Sequence, residues 1–399
     1  MWQILASISG VILAILAAVY LVYYKYVLKA IRESTGNPTK PSLETRVTLV
    51  IPTYNEELTI QGKLLNLIEQ TYPLNLVEII VIDSNSEDKT VDIVKEFMFK
   101  HPELDMKIIE ENKRLGKSKA INKAFSLACS QSEIIMMTDA DAYLEKHAIQ
   151  KVVSNFHDPT VGAACGRQVL TNPQESKETR MEATYRRFYE KLRIGESVID
   201  STPLFEGQFA AYRAKVVRGE SVRETASADD CQLAITVRRK GFRAICDKEA
   251  IFYEYSPPDR TSQQVQKVRR GQGLARLFWY NKDMIFDKKY GKFGLTILPA
   301  NFFMHVISPF LVMSVPVLFS ASFFCYLLQG GNLTWGAVSL TITCITVAIA
   351  YLTTEKRYLS IPWTFLEYQL TLLKGILLIL GGKSLHKWRK VEIVREKYR

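Results

Sequence analysis

The chain has six cysteines (Cys129, Cys165, Cys231, Cys246, Cys325 and Cys344), and none stands in Cys-x-x-Cys spacing. That argues against a disulfide framework and against a cysteine-built zinc site, and it fits a reducing compartment. The five histidines are scattered, with no pair at ligand spacing. There is no internal repeat and no low-complexity segment. No basic stripe is interleaved with stacking aromatics, so no nucleic-acid partner is expected. Formal charge is also missing from residues 4–24 (ILASISGVILAILAAVYLVYY). About 20 uncharged apolar positions are enough to cross a hydrocarbon core.

No basic residue precedes that run and no small-residue cleavage site precedes Lys25, which favours an anchor over a secretory signal. Lys25, Lys29 and Arg32 follow it directly. Basic flanks stay in the cytoplasm, so the N-terminus is expected outside and the bulk of the chain inside. The excess of 52 Lys and Arg over 41 Asp and Glu is mostly juxtamembrane and suits attraction to anionic lipid and phosphorylated substrates. Apolar stretches return at 295–328 and 335–352. A third, 361–380, is interrupted by Glu367 and Lys374. Thr364, Glu367, Thr371 and Lys374 recur there at helical spacing, so this segment is read as an interfacial or re-entrant helix followed by a cytoplasmic tail. Lys356 and Arg357 put the preceding loop inside. Asn332-Leu333-Thr334 has the pattern of an N-glycosylation sequon, one that is common by chance.

Residues 33–46 form a polar linker rich in Pro, Gly, Ser and Thr. After it, predicted strands at 47–51, 77–82, 106–109 and 133–138 alternate with predicted helices at 57–70, 88–100, 117–128 and 145–156. Such alternation implies an α/β fold, a mostly parallel sheet with helices on both faces. Further on, helices are expected at 177–193 and 229–240, a strand at 204–212, and an amphipathic basic helix at 262–281. Ligands of parallel sheets bind beyond the C-terminal ends of the strands. Asn55, Asp83, Asn112 and Asp139 all fall on that edge.

Asp139-Ala140-Asp141 follows the apolar run Ile134-Ile135-Met136-Met137-Thr138. Two carboxylates two residues apart at a strand end can turn toward one hard cation, and such a cation bridges the phosphates of a nucleotide. A lone Asp-x-Asp is more often a solvated turn. Here it shares an edge with Ile51-Pro52-Thr53-Tyr54-Asn55-Glu56-Glu57, with Val81-Ile82-Asp83-Ser84-Asn85-Ser86, and with Asn112-Lys113-Arg114-Leu115-Gly116-Lys117. Tyr54 can cover a base ring, and Glu56 and Asp83 can accept hydrogen bonds from a base or ribose. The plainer reading of this stretch is a helix N-terminus capped by Asn55. Lys117 starts a helix after a glycine and suits a phosphate.

In this order and spacing the four stretches resemble the family-2 inverting glycosyltransferases, whose catalytic domain has the nucleotide-diphosphate-sugar-binding GT-A fold. The resemblance covers roughly residues 47–275. It implies a nucleotide-binding set of Thr53, Tyr54, Glu56, Asp83, Lys117 and Asp139, and Asp139 with Asp141 as ligands of Mg2+ or Mn2+. Ser227-Ala228-Asp229-Asp230 before a helix ending in Val237-Arg238-Arg239-Lys240-Gly241 resembles the family's Glu-Asp segment. By that likeness Asp230 is the general base and Asp229 stands for the usual glutamate. Taken alone, two acids in a first helical turn complement the macrodipole. Phe205-Glu206-Gly207-Gln208 resembles the acceptor-side glycine strand. Gln263-Gln264-Val265-Gln266-Lys267-Val268-Arg269-Arg270 resembles the Gln-x-x-Arg-Trp motif of membrane polysaccharide synthases. Gln266 and Arg269 match it, and Arg270 replaces the tryptophan.

The resulting division is an N-terminal transmembrane helix (1–30), a linker (31–46), a cytoplasmic GT-A catalytic domain (47–260), an interfacial helix region (261–294), C-terminal transmembrane segments (295–382) and a basic tail (383–399). The function implied is transfer of a sugar from a cytoplasmic nucleotide-sugar donor to a membrane-held, lipid-linked acceptor, by a multi-pass protein of the cell membrane. The alternatives are a processive polysaccharide synthase, which usually has more membrane helices and the tryptophan, and a dolichyl-phosphate hexose synthase, which usually lacks anything like Gln266-x-x-Arg269. A nucleotidyltransferase usually has a glycine-rich phosphate loop after the first strand, and Pro52 to Glu57 contains no glycine. A non-catalytic scaffold has no need of the acids at Asp83, Asp139, Asp141 and Asp230.

Overall fold

The structure, a computed structural model, describes residues 1–34, 41–224, 226–331 and 360–385. The expected apolar segment 335–352, the basic pair Lys356 and Arg357, the sequon at Asn332 and the tail from His386 onward lie outside them. Eight strands form one sheet: β1 (Val47–Thr53), β2 (Val77–Asp83), β3 (Asp105–Glu110), β4 (Ile134–Thr138), β5 (Tyr143–Leu144), β6 (Val161–Leu170), β7 (Phe209–Arg213) and β8 (Arg243–Glu254). Their spatial order is β3-β2-β1-β4-β7-β6-β8-β5. The pairs β1–β2, β1–β4, β2–β3 and β6–β8 are parallel. β7 runs against β4 and β6, and β5 against β8, so the sheet is mixed and mainly parallel.

Alternation along the strands explains the two covered faces. Val50 of β1 and Ile80 and Ile82 of β2 enter one apolar cluster, while Leu49, Ile51, Ile79 and Val81 enter the other. The second cluster is roofed by α2 (Ile60–Ile68), α3 (Thr90–Lys100) and α5 (Ala148–Ser154). The first lies under α4 (Lys117–Leu127), α6 (Lys177–Ile199), α7 (Ala214–Val217), α8 (Asp229–Arg239) and α9 (Arg260–Tyr280). Strands buried on both faces read as continuous apolar runs, as β2 and β4 do.

Two local expectations are corrected. Asn55 does not cap α2. It sits in the left-handed region at φ 54°, and the helix starts only after Thr59. The strand expected at 204–212 is confined to Phe209–Arg213, because the residues before it turn along the wall of a cleft.

Among the described residues three helices are long and apolar enough to cross a membrane: α1 (Trp2–Glu33), α10 (Phe293–Leu328, with π turns at Phe293–Ile297 and Phe303–Ile307) and, within α11 (Ser360–Leu380), residues Trp363–Leu380. α1 packs on α6 where Gly195 lets Val27 approach; a side chain there would collide with Val27. α11 is one unbroken helix. Part of its polar character is used inside the bundle, where the Gln369 amide donates to Tyr20 Oη (2.9 Å) and Ser308 donates to Gln369 (3.2 Å). α9 lies between the catalytic domain and α11, with Gly271 against Leu372 and Gly375 against Gln272. It presents Trp279 and Tyr280 at its exposed end.

Candidate active site

The loops after β1 and β2 are tied together before any ligand is considered. Thr53 Oγ1 donates to Asp83 Oδ1 (3.1 Å), the Ser86 N–H donates to Asp83 Oδ2 (2.8 Å), and the Ser86 hydroxyl donates to Oδ1 (2.5 Å). The Asn55 N–H donates to Ser86 Oγ, the Glu87 N–H to Asn55 Oδ1, and the Glu56 N–H to Thr90 Oγ1. Asp83 is therefore enclosed, 1% exposed, behind a cleft wall made by Thr53, Tyr54, Glu56 and Ser84. Its carboxylate holds the loops in shape. The Arg114 guanidinium lies 3.9 Å from the centre of the Tyr54 ring, on the face that sequence reasoning reserved for a base. Asn112 is exposed and does not join the cleft.

Opposite this wall, Gly116 at φ 101° lets the chain turn into α4, so that Lys117 opens the helix. Lys117 is ion-paired with Asp139. Burial works against its charge, but Asp139 outweighs it with help from Asp229 and Asp230, and the ammonium is held above its ordinary pKa. Asp139 and Asp141 both face the cleft. No cluster of three or more His, Cys, Asp or Glu gathers for a metal among the described residues. Two carboxylates at the edge of a cleft still fit Mg2+ or Mn2+ if a phosphate is bound beside them, because these ions keep several waters and take the rest of their shell from phosphate oxygens. Behind the turn, fully enclosed, Lys63 Nζ donates to Thr138 Oγ1 (2.8 Å) and to the Ala142 carbonyl (2.5 Å). Burial pushes this lysine down to about 7, against the pull of Asp139 and Asp141.

A second cleft adjoins the first. Its walls include Tyr185, Tyr189, Arg193, Glu206, Gly207, Asp229, Asp230 and Leu274, and it shares Lys117, Asp139, Gln208, Arg269 and Arg270 with the first cleft. Asp229 and Asp230 open α8 after Ser227 and Ala228, which both hold left-handed backbone at φ 56° and 55°. Non-glycine residues there are strained, and such strain clusters at functional sites. The Ser118 hydroxyl donates to Asp229, tying α8 to α4. Burial, and then the neighbouring Asp229 charge, raise Asp230 to about 6. Gly207 backs onto its carboxylate.

α9 delivers Gln266 to the first cleft and Arg269 and Arg270 to the junction. Arg270 lies 3.5 Å from Glu182, a buried acid that also meets Arg186 (2.8 Å) and Lys267 (3.5 Å). These cations overcome burial and hold Glu182 down at about 2. Arg186 reaches on to Glu254 (3.4 Å), and Arg193 pairs with Glu206 (2.5 Å). Arg269 makes no ion pair or hydrogen bond with any described residue. Burial, and then Arg270, lower its guanidinium to about 10.

The structure thus gathers Thr53, Tyr54, Glu56, Lys117, Asp139, Asp141, Gln266, Arg269 and Arg270 around one cleft, with Gly207, Asp229 and Asp230 around its neighbour, while Asp83 stays behind the wall. Sequence reasoning missed Lys63, Arg114, Glu182 and Glu254. Lys63 left a signal: with Ile60, Leu64 and Leu67 it completes the i, i+3, i+4, i+7 stripe that faces the core. The Glu182 cluster joins residues of α6, α8-distal β8 and α9 that only the fold brings together.

Residues 48–219 match the family described as Glycosyl transferase family 2, and residues 134–353 match Glycosyl transferase family group 2. The chain belongs to the family-2 glycosyltransferases. In fold it is similar to mannosyltransferase PcManGT from Pyrobaculum calidifontis, solved in complex with GDP-Man and Mn2+. The TM-score is 0.78 and the identity 27%, over 95% of this chain and 99% of that one. It is 30% identical to the probable glycosyltransferase YdaM of Bacillus subtilis over 61% of each chain. It is 26% identical to hyaluronan synthase of Streptococcus pyogenes serotype M3, over 46% of this chain and 43% of that protein. The chain thus spans about three fifths or less of the length of these curated relatives.

Proposed function

We propose that the protein is an inverting hexosyltransferase that moves one sugar from a cytoplasmic nucleotide-diphosphate sugar to a lipid-linked acceptor. The observation that carries the donor half is Arg269: a half-buried guanidinium that makes no ion pair or hydrogen bond with any described residue and that lines, with Lys117, the junction of the two clefts. A partly desolvated charge without a close counter-ion favours an anion beside it. A diphosphate seated between Arg269 and Lys117 supplies that anion. Asp139 and Asp141 would hold Mg2+ or Mn2+, which adds positive charge against the leaving phosphates.

Asp230, in the adjoining cleft, takes the proton of an acceptor hydroxyl as its oxygen attacks the anomeric carbon from the side opposite the leaving group. The nucleoside diphosphate departs toward Lys117 and Arg269, whose fixed charges offset the charge it gains. Attack from the opposite face inverts the anomeric centre. For the acceptor, Tyr185 and Tyr189 line the second cleft and lean on Tyr368 of α11, with ring centres 4.7 and 5.6 Å apart. That cleft therefore stands directly on the membrane bundle, which favours a substrate held in the bilayer. Basic residues in the C-terminal part of α1 (Lys25, Lys29 and Arg32) favour a cytoplasmic catalytic domain in a multi-pass membrane protein.

A donor screen tests this reading. Purified protein in detergent is given nucleotide sugars of different base and sugar with Mn2+ or Mg2+, and hydrolysis is followed. One donor class should be turned over with the metal, and Arg269→Met should raise its KM at least tenfold. Equal turnover by that variant would remove the diphosphate from this seat.

A further inference from the structure

Lys63 is fully enclosed on the core face of α2, and no carboxylate lies within ion-pair distance of it among the described residues. A buried ammonium with only neutral contacts is costly to keep charged, so its place in the fold calls for a countercharge nearby. Its two acceptors, Thr138 Oγ1 and the Ala142 carbonyl, flank Asp139-Ala140-Asp141 on either side. The negative charge acting on it is that of Asp139 and Asp141. Those two acids have the opposite difficulty. They stand two residues apart on a tight turn and repel each other, and Lys117 approaches Asp139 only from the cleft side. Thr138, held by Lys63, donates its own proton to the Gln208 carbonyl (2.8 Å), so the same contact fixes the turn relative to the junction of the two clefts.

The geometry points to Lys63 as a positioning residue: a built-in countercharge beneath the Asp139–Asp141 turn that keeps both carboxylates poised for a divalent cation before one arrives. This rests on reading the turn as the donor's metal seat. When Mg2+ or Mn2+ binds from the cleft, it takes over the charge balance that the lysine supplies from behind.

The test is thermal unfolding of the full-length protein in detergent with EDTA at pH 6, below the value of about 7 to which burial lowers Lys63 so that it carries its charge, for wild type, Lys63→Met, Asp141→Asn and the double variant. Lys63→Met should lower the midpoint by roughly 2–4 °C or more, the scale expected for losing one interaction in a domain of more than about 150 residues. Asp141→Asn alone should lower it too, because the lysine loses part of its countercharge. The double variant should lose clearly less than the two single losses combined, as coupled sites do. Additive losses, or a rise in midpoint for Asp141→Asn alone, would overturn the assignment, and the second result decides the matter even if Lys63→Met does not fold. Repeating the series with Mn2+ separates the two readings. Mn2+ should restore most of what Lys63→Met loses. Coupled losses that Mn2+ leaves untouched keep the countercharge and discard the metal seat.

Discussion

A Cβ built on Gly207 stands 3.1 Å from Cβ, Cγ and Oδ2 of Asp230. The glycine is thus a wall against which the carboxylate rests, and any side chain there must push the acid by a few tenths of an ångström. Small displacements of a catalytic group are expensive in rate, up to ~10²-fold for 1 Å. Gly207→Ala should therefore lower kcat about tenfold while donor binding, measured by calorimetry, stays as it was. A kcat within twofold of wild type would mean that Asp230 has room to spare.

Asp230 itself gives a pH signature. A base must be ionised to accept a proton, so with burial and Asp229 raising it to about 6, transfer should climb through a limb near pH 6 and level off above. Asp230→Asn should slow transfer by ~10²–10⁴-fold and leave donor binding intact. Stability should move the other way. A carboxyl raised on folding stabilises the fold below its unfolded pKa and loses that contribution as pH rises through its folded pKa. The Asn variant should match wild type in melting temperature near pH 4 and exceed it at pH 7.5. A flat difference across that range would show that the acid is not raised.

How much of this was legible in the sequence depends on range. Strands β1 to β4, the helices after them and the edge that carries Asp139, Asp141 and Lys117 follow from apolar periodicity and from turn residues, which are local signals, whereas β5, β6 and β8 are not read from the sequence. The reversed strand β7 has no such signal, because direction is set by its pairing with β4 and β6. The fate of Asp83 also had to come from three dimensions: its oxygens are satisfied by Thr53 and Ser86 on two different loops. Arg114 stacks on Tyr54 from a loop that begins after β3, a contact that no spacing announces. The stripe Thr364, Glu367, Thr371 and Lys374 of α11 was visible, but the bonds of Gln369, on the opposite side of the helix, to Tyr20 and Ser308 depend on which helices neighbour it.

Asp141→Asn addresses the metal seat. With two carboxylates as its only protein ligands, Mg2+ or Mn2+ would depend on each of them and on the donor's phosphates. The variant should lose at least tenfold in Mn2+-dependent donor affinity by calorimetry, and a chelator should abolish the remaining difference between the two proteins. Unchanged donor affinity with and without Mn2+ would leave the pair as turn residues.

Arg270 bears on product length. It stands where resembling synthases place an aromatic ring, and its guanidinium is drawn toward the buried Glu182, 3.5 Å away, beside Arg186 and Lys267. A processive enzyme must retain a polymer between cycles, and a flat apolar face serves a sugar ring better than a charge engaged by a carboxylate. A salt bridge at the junction of the clefts favours an anionic or phosphorylated group and gives a neutral chain little to rest on. Membranes incubated with radiolabelled donor should therefore yield a lipid-extractable product enlarged by one sugar. Arg270→Trp should weaken acceptor binding, seen as a KM at least several-fold higher, because the cation is lost. High-molecular-weight, glycosidase-sensitive material from the wild-type protein would decide for the synthase instead.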